Sequence, residues 1–439
     1  MDTSTSQHRS KNYILQVKKS TIFKILAIII SFLLVPIMIW YLGVEKYGIW
    51  STIVSIFSWV VLFDVGIGSG LRNNLSKSLA KGKKNDAKKY VSTSYICIGV
   101  IVLCLLIIFF ILSYYINWQV VFNTKTISEN QLYLVVSVSG FFLIINFGLS
   151  LINQILYGLQ KSSMVVFNQF LSNFFALSIL GFIYFLIERS LFKLAFCYGF
   201  SLILSNVILT YITFKKYKFL IPKLGFFSKE CIKSIASMGF KFFIIQIAVI
   251  VIFTTDKIMI TQLFGPEYVT SYDVVFKLFS IIMIIHSLLI TPLWSACSDA
   301  YHRGDIEWIK NSLFRQLQIF MLIIFGIIVL AFIAKNIISF WIGKDFIVDN
   351  NLIYAMSIFI IVCVWNNIFA FIVNGMAKLG IQTLTSIAAM LFNIPLSLIL
   401  VKCYSFGVDG IIYGATTSLL LFSFLGSIQV YYLVIKKRK

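Results

Sequence analysis

Residues 62–90 read LFDVGIGSGLRNNLSKSLAKGKKNDAKKY. An apolar run, residues 53–63, ends at Asp64, and Gly66, Gly68 and Gly70 follow at alternate positions. Arg72 then opens a basic segment with Lys77, Lys81, Lys83, Lys84, Lys88 and Lys89. A charge closing a greasy helix, with a polycation beyond it, is the pattern of a membrane span where it meets the cytoplasm.

Composition points the same way. Of 439 residues, 59% are hydrophobic and 12% charged, with a mean hydropathy of +0.94. A soluble domain is about one quarter charged, so a water-soluble chain of this length has no way to hide such apolar surface. The 43 Phe, the 5 Pro and the length of the apolar runs favour helices over barrel strands, which need only about 10 residues each. The net charge of +21 is explained by Lys and Arg collecting in loops on one side of a membrane, so no nucleic acid is expected as a partner. The seven cysteines are scattered, with no C-x-x-C pair. They read as small core residues, and neither a metal site nor a cofactor is expected.

A spanning helix needs about 20 apolar residues. That rule gives about twelve runs: 21–42, 48–70, 91–117, 132–157, 164–187, 191–214, 236–264, 272–296, 314–336, 351–376, 381–401 and 408–434. The first is too long for a signal-peptide core and reads as a retained span. One set of loops is basic: Arg9, Lys11, Lys18 and Lys19; the segment after Arg72; Lys161; Lys215 to Lys233; Arg303 and Lys310; Lys378; and the tail from Lys436 to Lys439. The alternate set is balanced or poor in cations, as in Glu45 with Lys46, Glu188 with Arg189, and Lys402 with Asp409. The alternation is unbroken, which places both termini in the cytoplasm.

The opening stretch has an echo. Gly43 and Glu45 match Gly265 and Glu267; Ser76 matches Ser298; Lys81-Gly82 matches Arg303-Gly304; Lys88 matches Lys310. Every pair is 222 residues apart. Such an offset pairs spans 1–6 with spans 7–12 as a parallel repeat, the pattern of two-lobed transporters. The expected layout is an N-terminal six-helix lobe (1–214), a basic cytoplasmic linker containing Pro222 (215–235) and a C-terminal six-helix lobe (236–439).

Residues 63–95, FDVGIGSGLRNNLSKSLAKGKKNDAKKYVSTSY, resemble the second span and following loop of bacterial polysaccharide flippases. These are the O-antigen-unit translocases of the multidrug/oligosaccharidyl-lipid/polysaccharide exporter superfamily. TTDKIMITQLFGPEYVTSYDVVFKLF (254–279), PLWSACSDAYHRGD (292–305) and NGMAKLGIQT (374–383) extend the resemblance over nearly the whole chain. It implies an all-α, MATE-like integral membrane protein of the bacterial inner membrane, with two six-helix lobes around a cavity that opens alternately to either side. The implied cargo is an oligosaccharide on undecaprenyl pyrophosphate, whose lipid tail stays among the membrane lipids. A polysaccharide polymerase and a chain-length regulator are the implied partners.

Ionisable groups within spans are functional candidates. Asp256 and Lys257 fall in span 7, and Asp273 and Lys277 at similar depth in span 8. The two lysines are candidates to hold the cargo pyrophosphate; alternatively, Asp273 and Lys277 satisfy each other at i,i+4. Lys24, early in span 1, is either a cargo contact or a snorkelling residue. His286, in IIMIIHSLLI, either carries a coupling proton or packs with a hydrogen bond. Asp64 and Arg72 stand eight residues apart as either a gate pair or a membrane-boundary cap. The glycines between them have the wrong spacing for a nucleotide loop and suit close helix packing.

No phosphate-binding G-x-x-x-x-G-K-[ST] occurs, so an ion gradient or removal of product is the expected energy source. The first reading is a lipid-linked oligosaccharide flippase, not an enzyme. The rival within the superfamily is an ion-coupled drug exporter. The rival of another class is a membrane polysaccharide polymerase or ligase, expected to carry catalytic residues in a long external loop, and this chain has none.

Overall fold

The computed structural model describes residues 3–186, 189–376 and 378–436, all of them in helices or the short turns between helices. Glu188, Lys437, Arg438 and Lys439, which entered the charge pattern above, lie outside the described residues. Among the described residues, twelve helical segments are long and apolar enough to cross a membrane. They match the twelve apolar runs one for one.

By contacts the chain divides into two units, Met1–Phe243 and Ile244–Lys439. The first holds the spans Lys19–Leu42, Val44–Asp64, Lys84–Tyr115, Glu129–Gly158, Ser162–Phe182 and Leu191–Lys216. Its first span packs along the fifth, its fourth against the sixth, and its third against the fourth and the short helix Ile67–Ala80. The second unit holds Gln246–Leu263, Pro266–Ser287, Ile306–Trp341, Asn350–Gly375, Gly380–Lys402 and Val408–Lys436. Here the tenth span packs against the eighth, ninth and twelfth, and the eleventh against the twelfth. The third and ninth spans are equally peripheral, each with 17% of its apolar window buried, so each unit turns the same member of its repeat toward lipid.

The 222-residue repeat is visible atom by atom. Gly43 and Gly265 both have positive φ (80° and 115°), as do Gly82 and Gly304 (71° and 78°). The N–H of Gly43 donates to Ile39 and that of Gly265 to Thr261; Lys83 donates to Ser78 and Asp305 to Ala300. All these partners keep the same offset. Glycine is needed at these positions because a Cβ makes left-handed backbone costly. At Gly265 the Glu267 carboxylate also folds back to within 2.8 Å of where a Cβ would stand.

One expectation needs correction. The run 48–70 is not one helix. An α-helix, Val44–Ser58, tightens into a 3-10 turn, Trp59–Asp64; the chain breaks at Val65 and Gly66, both left-handed, and a new helix runs Ile67–Ala80. Hydropathy sees only a continuous apolar stretch there. The basic linker packs on the first unit. Lys223 N–H donates to Ser92 Oγ and Ser228 N–H to Thr93 Oγ1. Leu220 is fully buried, while Lys84 and Lys88 lie over the rings of Phe219 and Phe226. The linker is strapped to the third span, and the unit boundary falls inside the helix Lys229–Leu263.

Candidate functional site

Within the second unit the hairpin Lys229–Leu263/Pro266–His302 turns at Gly265. Residues of its two helices meet when they lie at similar distances from that turn. Lys257 Nζ stands 2.6 Å from Asp273 Oδ1, with side chains 18% and 17% exposed. One position earlier on each helix, Tyr272 OH donates to Asp256 Oδ2 at 3.2 Å. Both pairs are 16 residues apart in sequence. Asp256 is buried, and its Oδ1 has no hydrogen-bond partner among the described residues. Lys277, one turn beyond Asp273, lies within electrostatic reach of both Asp273 and Lys257.

The four charges that the sequence singled out are therefore one cluster. It lies about 10 Å along either helix from the turn, at 1.5 Å per residue. Asp273 bridges the helices to Lys257, which goes beyond the i,i+4 contact to Lys277 expected from spacing. Tyr272 was missed. Spacing about the glycine turn pairs 257 with 273, which are equidistant from Gly265, but 256 and 272 centre on residue 264, so that spacing alone does not give the tyrosine.

The other candidates do not join this cluster. His286 is completely buried near the middle of Pro266–His302, and neither ring nitrogen has a hydrogen-bond partner among the described residues. Asp64 does not pair with Arg72. Its carboxylate accepts from Gly68 N–H at 2.9 and 3.2 Å, capping the helix Ile67–Ala80, while Arg72 lies 4.8 Å from the centroid of the Tyr157 ring. The break at Val65–Gly66 turns the two side chains away from the register of a continuous helix. Asp64 and His286 are themselves 222 residues apart, so the repeat puts an ionisable group at the same step of both units. Lys24 is half-buried and makes no ion pair among the described residues.

The glycines near the opening stretch act by close packing. A Cβ on Gly68 would fall 2.9 Å from Gln154 Cγ, and one on Gly158 would fall 2.9 Å from Leu75 and 3.2 Å from the Arg72 carbonyl. Asparagines stitch the first unit. Asn206 donates to Asn146 at 2.8 Å and Asn168 donates to Asn206 at 3.0 Å, tying the fourth, fifth and sixth spans; Asn173 donates to the Ala27 carbonyl of the first. In the second unit Thr255 meets Asn393 at 3.4 Å, and Ser423 donates to Asn366 at 2.7 Å. Cross-helix hydrogen bonds of this kind contribute about 0.6–2 kcal/mol each in a membrane. A small cavity of about 150 Å³ in this unit is lined by Asn366, Asn367, Gln382 and Thr385 among apolar side chains.

The fold has close counterparts. A solved multidrug resistance MATE family transporter, in its inward-facing conformation, superposes with a TM-score of 0.78 at 14% identity, covering 97% of this chain and all of that one. The outward-facing conformation of a transporter of that family gives 0.64 over 97% of both chains. The model of the MatE family matches residues 242–399. Among curated sequences, a Salmonella typhi protein named as an O-antigen transporter is 25% identical over 98% of both chains. A Yersinia pseudotuberculosis protein named as an O-antigen export protein is 23% identical over 91% of both. The model described as polysaccharide biosynthesis protein matches residues 17–296, nearly two thirds of the sequence. With twelve candidate spans, a two-unit repeat and that match, the chain is a multi-pass membrane protein that belongs to the polysaccharide biosynthesis protein family.

Proposed function

We propose that the chain is a flippase for a lipid-linked oligosaccharide, moving it from the cytoplasmic to the outer leaflet of the bacterial inner membrane by alternating access. The observation that carries this reading is the cluster of Lys257, Asp273 and Lys277 within a transporter fold of the polysaccharide family. A cargo joined to its lipid through pyrophosphate is a polyanion at the point where sugar meets tail. Two ammonium groups near each other suit such a group, and in a partly dehydrated setting their attraction is several times that in water.

In the empty protein Asp273 holds Lys257, which offsets the cost of keeping a lone charge there. The cargo pyrophosphate displaces that carboxylate, so binding is an exchange of anions. Release restores the internal pair, which keeps the site from trapping its cargo. Lys24 is a further proposed cation contact. The basic loops put both termini in the cytoplasm on this reading, and a polymerase with its chain-length regulator would take up the product. Relatives named for O-antigen transport support the cargo class. A drug exporter would have no use for the paired cations.

The test is surface polysaccharide in cells carrying Lys257→Ala, Lys277→Ala or both. Each single variant is expected to lower export and the double to abolish it, with normal amounts of protein in the membrane. Normal export by all three sinks the pyrophosphate reading.

A further inference from the structure

A second cationic feature lies in the first unit, separate from the residues just discussed. Between the basic ends of the first, fourth, fifth and sixth spans is a cavity of about 440 Å³, lined by Lys19, Lys161 and Lys216. Lys19 stands two residues before the first apolar run, 21–42, and Lys216 closes the sixth candidate span, so both fit the depth where hydrocarbon gives way to headgroups. Lys161 stands at the start of the helix Ser162–Leu186, and Ser163 and Met164 of its first turn also line the space. A helix N-terminus adds its own positive end to the three ammoniums. No acidic residue lines the cavity among the described residues. Apart from Thr213 and Tyr217 the remaining wall is apolar, and its Ile22 and Ile212 are exposed.

Three cations and a helix N-terminus above a mostly apolar, exposed wall are complementary to an amphiphile with an anionic head. Basic pockets between spans at the cytoplasmic surface have this chemistry. We infer that the cavity is a binding site for an anionic glycerophospholipid of the cytoplasmic leaflet. The phosphate sits among Lys19, Lys161 and Lys216, and an acyl chain runs over Ile22 and Ile212. A lipid held there ties the ends of three spans together, so occupancy links the stability of the first unit to the charge of its membrane. The inference does not depend on what the protein transports.

The purified full-length protein in detergent is titrated with phosphatidylglycerol and, separately, with phosphatidylcholine, and bound lipid is counted by native mass spectrometry. K19Q/K161Q/K216Q is compared with K81Q/K83Q/K84Q, which removes the same charge from an exposed loop. Each lysine near a membrane surface contributes about fivefold in affinity. The first variant is therefore expected to lose phosphatidylglycerol binding by about a hundredfold at low salt, and the second to stay within about twofold. Equal weakening in both variants overturns the site, as does equal affinity of the wild type for the two lipids. Displacement of phosphatidylglycerol by millimolar inorganic phosphate, or a preference for undecaprenyl pyrophosphate at equal concentration, overturns the assignment to a glycerophospholipid. If the triple variant does not stay folded, Lys161→Gln decides the matter with an expected loss of about fivefold.

Discussion

Replacing Asp273 by Asn removes one end of the ion pair with Lys257 while keeping the shape of the side chain. At 2.6 Å and an effective dielectric of about 20, the Coulomb attraction is of order 6 kcal/mol. Desolvation of both groups cancels much of it, so the pair's net contribution is far smaller. The variant, however, leaves an ammonium in a largely buried position without its counter-ion. Breaking fully buried pairs costs about 3–5 kcal/mol. Here both ends keep 17–18% exposure, which lowers the expected loss to about 2–3 kcal/mol. Lys257→Met should cost a similar amount for the mirror-image reason. The double variant Lys257→Met/Asp273→Asn leaves neither member of the pair stranded and should cost only about 1 kcal/mol, a coupling of roughly 3–5 kcal/mol. SDS-induced unfolding of the four purified proteins measures this cycle. Simple additivity, with a coupling under about 0.5 kcal/mol, would show that the two groups do not depend on each other, and the anion-exchange argument would lose its premise.

Other outcomes follow from particular contacts. His286→Leu removes two unpartnered ring nitrogens from a fully buried position, so it should raise stability by about 1–2 kcal/mol in the same unfolding assay. It should also slow export, since a costly group kept in place points to function; unchanged export would make His286 a packing residue. Asp64→Ala should lose about 1 kcal/mol with its cap on Gly68, and swapping charges in Asp64→Arg/Arg72→Asp should not restore it; restoration would revive the gate pair. Gly158→Ala forces the Leu75 side chain and the Arg72 carbonyl apart and should cost about 1–3 kcal/mol, checked by thermal melting in detergent. For orientation, a cysteine at Lys83, whose side chain is 63% exposed, should react with a membrane-impermeant maleimide only in inverted vesicles. The exposed native Cys403 should react only in whole spheroplasts. The reverse pattern would invert the topology.

The parts of this molecule that hydropathy governs were legible in the sequence. Twelve apolar runs became twelve spans because a helix is the form in which an isolated segment satisfies its own backbone in lipid. The repeat was legible because glycines with left-handed backbone have few substitutes, so Gly43 and Gly265, and Gly82 and Gly304, keep their places. The break in the second span was hidden for the opposite reason. Val65 takes a left-handed conformation (φ 44°) that β-branched residues rarely adopt, and the flanking Asp64 and Gly66 read as a membrane boundary and close packing, not as a break. In the site, charge and depth identified Asp256, Lys257, Asp273 and Lys277. Which carboxylate meets which ammonium depended on the register of the hairpin about Gly265. The asparagines were visible as a class, yet only packing shows that Asn206 joins Asn146 and Asn168 while Asn173 reaches the first span. The lysine cavity was the least legible, since its members come from three separate loops and each alone reads as an ordinary boundary charge.

The two copies of the repeated hairpin differ in one mechanical respect. Pro266–His302 is an unbroken rod of 37 residues, about 55 Å long. Its counterpart is cut after Asp64, where two left-handed residues separate Val44–Asp64 from Ile67–Ala80. A rod carries a twist or a push applied at one end through to the other, whereas a jointed one absorbs it at the joint. In the second unit one continuous helix joins Asp273, through His286, to the basic end. In the first unit the helix is interrupted at Val65 and Gly66 before the basic segment begins. Duplication supplied two equal halves, and a single pair of residues has made one of them a lever and the other a hinge.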